Sequence, residues 1–144
     1  MIARAGVKLE APPSWGLVAR GDEGISDPTT VLVMGSPGVR PLRHASCQIA
    51  AYHVPTNGAV VIVVRWRTAT SGGGRPVVGY APLKRLTKVA RPSFECFAGR
   101  GAVAQLALGG HAYQVSVLVG DRATPGLIRQ ALSVARSFRL SATH

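Results

Sequence analysis

Acidic residues are scarce in this chain. Six Asp and Glu stand against 17 Lys and Arg, a formal net charge of +11. The acids (Glu10, Asp22, Glu23, Asp27, Glu95 and Asp121) are dispersed, and only Asp22 and Glu23 are neighbours. Carboxylate-paired hydrolysis and hard-metal sites both draw on clustered acids, so both are poorly supplied. Long apolar runs are missing too. The longest uncharged one covers residues 59–64, where a spanning helix needs about 20 residues. The opening Met1-Ile2-Ala3-Arg4-Ala5-Gly6 holds no apolar stretch of signal-peptide length. Two expectations follow: a cytosolic protein, or a mature domain whose leader or anchor is absent from this chain.

Cysteine is nearly absent. Cys47 and Cys96 are the two in the chain, in no CxxC arrangement, and no HxxxH pair accompanies them. The four histidines (His44, His53, His111, His144) are scattered. Neither a metal site nor a cofactor is expected from this supply. Gly-x-Ser-x-Gly is missing, and neither cysteine sits in a recognised nucleophile motif, so no enzyme is expected. Ser71-Gly72-Gly73-Gly74-Arg75-Pro76 is glycine-rich. It lacks the Gly-Lys-Ser/Thr ending and following helix of a phosphate loop, and is expected to be a flexible connection over residues 68–76.

What is present suits one globular domain over residues 1–144. The mass is 15.0 kDa and 47% of the residues are apolar, enough for a single core. Residues 6–10 alternate with period two and meet Pro12-Pro13, a short first strand. Residues 15–19 and 30–34 read as further strands, and residues 47–52 as extended chain closed by the turn Pro55-Thr56-Asn57-Gly58. Residues 59–67 centre on Val60-Val61-Ile62-Val63-Val64, five β-branched residues in a row. This predicts a strand buried on both faces and paired on both sides. Residues 77–92 have two prolines and no period, and read as mostly irregular; residues 93–97 read as a short strand. Residues 102–108 and 111–119, joined by Gly109-Gly110, predict a hairpin with Tyr113, Val115, Val117 and Val119 on one face. Thr124-Pro125 reads as N-cap and first turn of a helix with Leu127, Ile128, Ala131, Leu132 and Ala135 in one apolar stripe. Residues 137–140 are a last strand or the fraying helix end. The expected fold class is α+β: a mostly antiparallel twisted sheet of six to eight strands covered by a C-terminal helix.

The layout resembles the PsbP-like fold, shared by a photosystem II extrinsic subunit, a nuclear-transport factor and several bacterial lipoproteins. The residues carrying the likeness are the opening Gly6-Val7-Lys8-Leu9-Glu10-Ala11-Pro12-Pro13-Ser14-Trp15, the late hairpin, and the helix running into Ser137-Phe138. The segment Tyr52-His53-Val54-Pro55-Thr56-Asn57-Gly58-Ala59-Val60-Val61-Ile62 is similar to one found between two cysteines in secreted or anchored domains of high-GC bacteria. The resemblance implies an extracytoplasmic accessory or binding domain and supplies no catalytic residues. In that setting a Cys47–Cys96 disulfide is expected.

The basic residues are the remaining signal. Arg65, Arg67, Arg75, Lys84, Arg85, Lys88 and Arg91 follow one another without an intervening acid, a candidate anion-binding set. The bland alternative is a solvated surface in an Arg-biased protein, since 14 of the 17 cations are Arg. Arg65-Trp66-Arg67 sets an aromatic between two cations, a pairing that can grip phosphate or single strands. No nucleic-acid motif accompanies it, so a specific nucleic-acid partner is not expected. Expected partners are an anionic membrane surface, a wall polymer or another protein. The competing expectation is a cytosolic basic protein that binds nucleic acid without specificity. His111, on the face of Tyr113, is read either as exposed at the hairpin end or as lining a pocket.

Overall fold

The computed structural model describes residues 2–21, 27–42, 47–71, 74–90, 97 and 99–141. The chain opens on a hairpin of β1 (Ile2–Arg4) and β2 (Val7–Leu9). Its two-residue turn is Ala5-Gly6, both left-handed with φ of 53° and 81°. A third strand, β11 (Arg139–Leu140), pairs with β2 from the far end of the chain. A six-stranded sheet follows the order β3 (Gly16–Leu17), β4 (Thr29–Gly35), β7 (Ala59–Arg65), β10 (His111–Val119), β9 (Arg100–Leu108) and β8 (Val77–Val78). All its pairings are antiparallel except β8 against β9. A ribbon of β5 (Arg40–Pro41) and β6 (Tyr52–His53) stands apart. The helix α1 (Pro125–Arg136) and a 3-10 turn (Ala81–Arg85) complete the elements.

The β-branched run lies where its composition requires. β7 pairs with β4 on one side and β10 on the other. Residues 59–63 are 0% exposed and Val64 2%. Period two then splits the strand between two cores. Ala59, Val61 and Val63 join Phe138, Leu132 and the alternating Tyr113, Val115, Val117 and Val119 of β10 under the helix. Val60, Ile62 and Val64 join Val18, Ile49, Ala51 and Tyr52 on the opposite face. The molecule is therefore three-layered: α1 with the small sheet and the 3-10 turn, the large sheet, and an irregular layer around β5 and β6.

The helix begins as its sequence dictates. Thr124 is the N-cap, and its Oγ1 accepts from the Leu127 N–H at 3.1 Å, with Pro125 in the first turn. Thr124→Ala is expected to lower stability by about 1 kcal/mol, read from a denaturant midpoint. An unchanged midpoint would mean that the cap is replaced by water at no cost.

The α+β class holds, and several elements differ from expectation. The described residues form three sheets with eleven short strands, not one sheet of six to eight. β1 was not anticipated, because it depends on Ala5 taking a conformation that side chains avoid. Residues 47–51 are bends and turns, and the extended chain starts at β6. Within residues 77–90 lie β8 and the 3-10 turn, both adjoining prolines that made the segment read as irregular. The expected strand at 93–97 and the centre of the glycine run, Gly72 and Gly73, lie outside the described residues. Ser71 bridges Gly74, and Ser71 Oγ donates to Gln105 Oε1 at 3.3 Å, so the described ends of that loop are tied to the sheet.

Candidate anion-binding site

The described cations of the chain-adjacent set sit on several different elements. Arg65 ends β7 half-buried, and its Nη1 donates to the Ala5 carbonyl at 3.2 Å. Arg67 is exposed, and its backbone N–H donates to Asp27 Oδ1 at 2.9 Å, which sets a carboxylate beside it. Arg75 is exposed just before β8. Lys84, Arg85 and Lys88 are exposed around the 3-10 turn, whose Leu83 and the following Leu86 are buried under the helix layer. Arg136 Nη1 donates to the Leu86 carbonyl and ties that turn to α1. Arg91 lies outside the described residues. The described members of the set are thus carried by different elements. The strand carries Arg65 to the sheet end, and the 3-10 turn carries the lysines to the helix layer.

Arg65 instead meets two cations from distant parts of the chain. A cavity of about 250 Å³ is lined by Arg4, Arg20 and Arg65. Arg4 closes β1 and is held by the tight turn at Ala5-Gly6. Arg20 follows Val18, whose N–H donates to the Val33 carbonyl at 2.9 Å and continues the β3 edge. Thr29 and Thr30 also line it, opposite Arg65 and Val64 in the β4–β7 register. The register then shifts between Thr30 and Leu32. A bulge of this kind bends its strand and re-aims side chains. Here the extra residue, Val31, and its neighbour Leu32 supply apolar wall. None of Arg67, Arg75, Lys84, Arg85 or Lys88 lines the cavity.

The electrostatics point one way. Guanidinium groups keep their charge throughout the physiological range and offer forked donors that match oxyanions. Three arginines line one small cavity, and an anion there could accept from their forked donors. Among the described residues, the lining contains no carboxylate, histidine or cysteine. Among the described residues, no group of three His, Cys, Asp or Glu is placed to hold a metal ion. No described helix is long and apolar enough to cross a membrane.

Other singled-out residues are structural here. His111 Nδ1 lies 2.9 Å from the Trp66 carbonyl, and its ring stands edge-on to Tyr113 at 6.4 Å. It braces the end of β7 against β10. Trp66 packs half-buried on the second core rather than standing free between its arginines. Cys47 is half-buried on that same core and is not a free thiol. Cys96 lies outside the described residues.

Arg4 and Arg20 escaped sequence reasoning because each is isolated in the chain, and only the pairing of β1 with β2 and of β3 with β4 brings them to Arg65. One local sign exists. The residue between Arg4 and Gly6 is an alanine at positive φ, a strained choice for a turn. Ala5→Gly is expected to raise stability by about 0.5 kcal/mol, as relief of strain outweighs the added freedom of the unfolded chain. A lower denaturant midpoint for this variant would contradict the turn geometry.

Comparison of the chain with family models, with curated proteins and with solved structures gives no match in any of the three.

Proposed function

We propose that this chain is a non-enzymatic binding domain of PsbP-like type that works outside the cytoplasm and holds an anionic ligand. The observation that carries the reading is the convergence of Arg4, Arg20 and Arg65 on one cavity, with no acid among its described lining residues. The extracytoplasmic part rests on the resemblance and on the expected Cys47–Cys96 bond. Cys47 packs on the second core, and so does Phe97, the residue after Cys96. The ligand belongs to a membrane surface, a wall polymer or another protein. Non-specific nucleic-acid binding in the cytosol is the second reading, favoured by the net charge of +11. The packing of Trp66 weighs against it, because it removes the aromatic platform that single strands stack on.

The test compares unrelated DNA duplexes with vesicles rich in anionic lipid, at low and at physiological salt. Binding is expected to be weak to both polymers, indifferent to DNA sequence, and to fall steeply as salt rises. Arg4→Gln/Arg65→Gln should weaken vesicle binding more than Lys84→Gln/Arg85→Gln does. Tight, sequence-selective DNA binding that survives physiological salt would overturn the reading. So would a complete lack of binding at low salt.

A further inference from the structure

We infer that Asn57, in the turn that feeds the central strand β7, is a site of covalent modification. Its side-chain amide is displaced by the Gly58 nitrogen whenever that turn opens, and the closed turn guards it. The site lies apart from the arginine cavity, whose lining shares no residue with it.

Asn57 is the one asparagine of the chain, and a glycine follows it. A glycine carries no Cβ to shield its backbone nitrogen from the preceding side chain. In the reaction Gly58 N loses its proton and bonds to Asn57 Cγ. The Cγ–Nδ2 bond breaks, and ammonia leaves with that proton. The product is a five-membered succinimide. Water then opens one of its two C–N bonds to the Gly58 nitrogen. Opening at Cγ gives an ordinary aspartyl residue. Opening at the main-chain carbonyl gives an isoaspartyl residue, whose main chain runs through the side chain and is one methylene longer. Nothing is oxidised or reduced, and water is the other reactant. The Asn57 side chain is exposed, so water reaches it. The glycine is one that the fold requires. Gly58 is buried, and a Cβ on it would stand 2.9 Å from Pro55 Cδ and 3.2 Å from Ser36 Oγ.

The closed turn keeps the reacting atoms apart. The Gly58 N–H donates to the Pro55 carbonyl at 2.8 Å, and neither Thr56 nor Asn57 has a positive φ. These are the marks of a type I turn, in which ψ of the third residue is near zero. That angle sets the Gly58 nitrogen beside the Asn57 nitrogen, not beside the Asn57 side chain. Two contacts from the β10–α1 connection hold the turn shut. The Arg122 N–H donates to the Thr56 carbonyl at 2.7 Å, and the Gly120 N–H to the Gly58 carbonyl at 2.9 Å. Reaction therefore proceeds through local opening. The longer isoaspartyl chain cannot close again in the same space. Gly120 lies so near that a Cβ on it would run into the carbonyl oxygens of Pro55 and Thr56. The modification thus records that the entry to β7 has opened, and keeps it loose.

The test incubates the full chain, native and unfolded in urea, at one mildly alkaline pH and one temperature. Peptide mass spectrometry follows conversion at residue 57, and there is no other asparagine to give the same change. Native protein should convert at least about tenfold more slowly than unfolded protein, because opening breaks the three hydrogen bonds of the turn. Thr56→Gly loosens the turn at an exposed position. It should convert faster than wild type when native and equally fast in urea. Asn57→Ser should fold and show no conversion. Isoaspartyl chains, isolated by reversed-phase chromatography and refolded, should have a lower denaturant midpoint than wild type. Asn57→Asp adds the charge without the methylene and should keep the wild-type midpoint. Equal rates in the native and unfolded chains would overturn the guard. Absence of conversion in the unfolded chain would overturn the site itself. An isoaspartyl midpoint equal to that of Asn57→Asp would overturn the claim that the lengthened turn cannot close.

Discussion

Ile62→Asp is expected to abolish cooperative folding, and Val61→Asp to do the same from the opposite face of the strand. Both side chains are 0% exposed. Ile62 points into the core around Ile49, Ala51 and Tyr52, and Val61 into the core under the helix. Among the described residues no charged side chain is buried to compensate a carboxylate there. An unpaired buried charge costs several kcal/mol even when it is partly neutralised by protonation. The whole domain is held by about 5–15 kcal/mol. Ile62→Val removes one methylene and should cost only about 0.5–1.5 kcal/mol, which separates volume from charge. The measurement is a thermal melt followed by near-ultraviolet circular dichroism. A sigmoidal melt near the wild-type midpoint for either aspartate variant would contradict the central placement of β7.

The second large effect concerns Cys47 and Cys96. Reduction, or Cys47→Ser/Cys96→Ser, is expected to lower stability by about 4 kcal/mol, the chain-entropy value for closing a loop of about 50 residues. The irregular layer is where that loss should be felt. Residues 47–51 contribute no strand, and their Ile49 and Ala51 cover one face of β7, with the Ala51 carbonyl accepting from the Leu42 N–H at 2.8 Å. A covalent tie there would add to the few hydrogen bonds that hold this layer. Denaturant titrations with and without reductant should show separate midpoints. Coincident midpoints, or a free-thiol count of two in the native oxidised protein, would contradict the bond and favour a cytosolic setting.

Sequence legibility followed the length of each element. The run at 60–64, the Gly109-Gly110 hairpin and the Thr124-Pro125 helix start each carry a complete local signal, and all three stand where expected. β1, β8 and β11 span two or three residues each. Elements so short exist through their partners and leave no period to read. The arginine cavity was half legible. Arg65 stood out as the end of a buried strand beside Trp66. Arg4 and Arg20 could be added only by knowing that β1 folds back on β2 and that β3 pairs with β4. Charge density along the chain pointed instead to residues 84–88, which a 3-10 turn carries to the helix layer.

The most direct measurement is a phosphate titration followed residue by residue in amide and arginine Nε–Hε nuclear magnetic resonance spectra. Saturable shifts are expected to concentrate on Arg4, Ala5, Arg20, Thr29, Thr30 and Arg65, with Arg85, Arg129 and Arg139 unmoved. Shifts spread evenly over all arginines, or gathered around residues 84–88, would show that the cavity is not the site where this domain holds its anion.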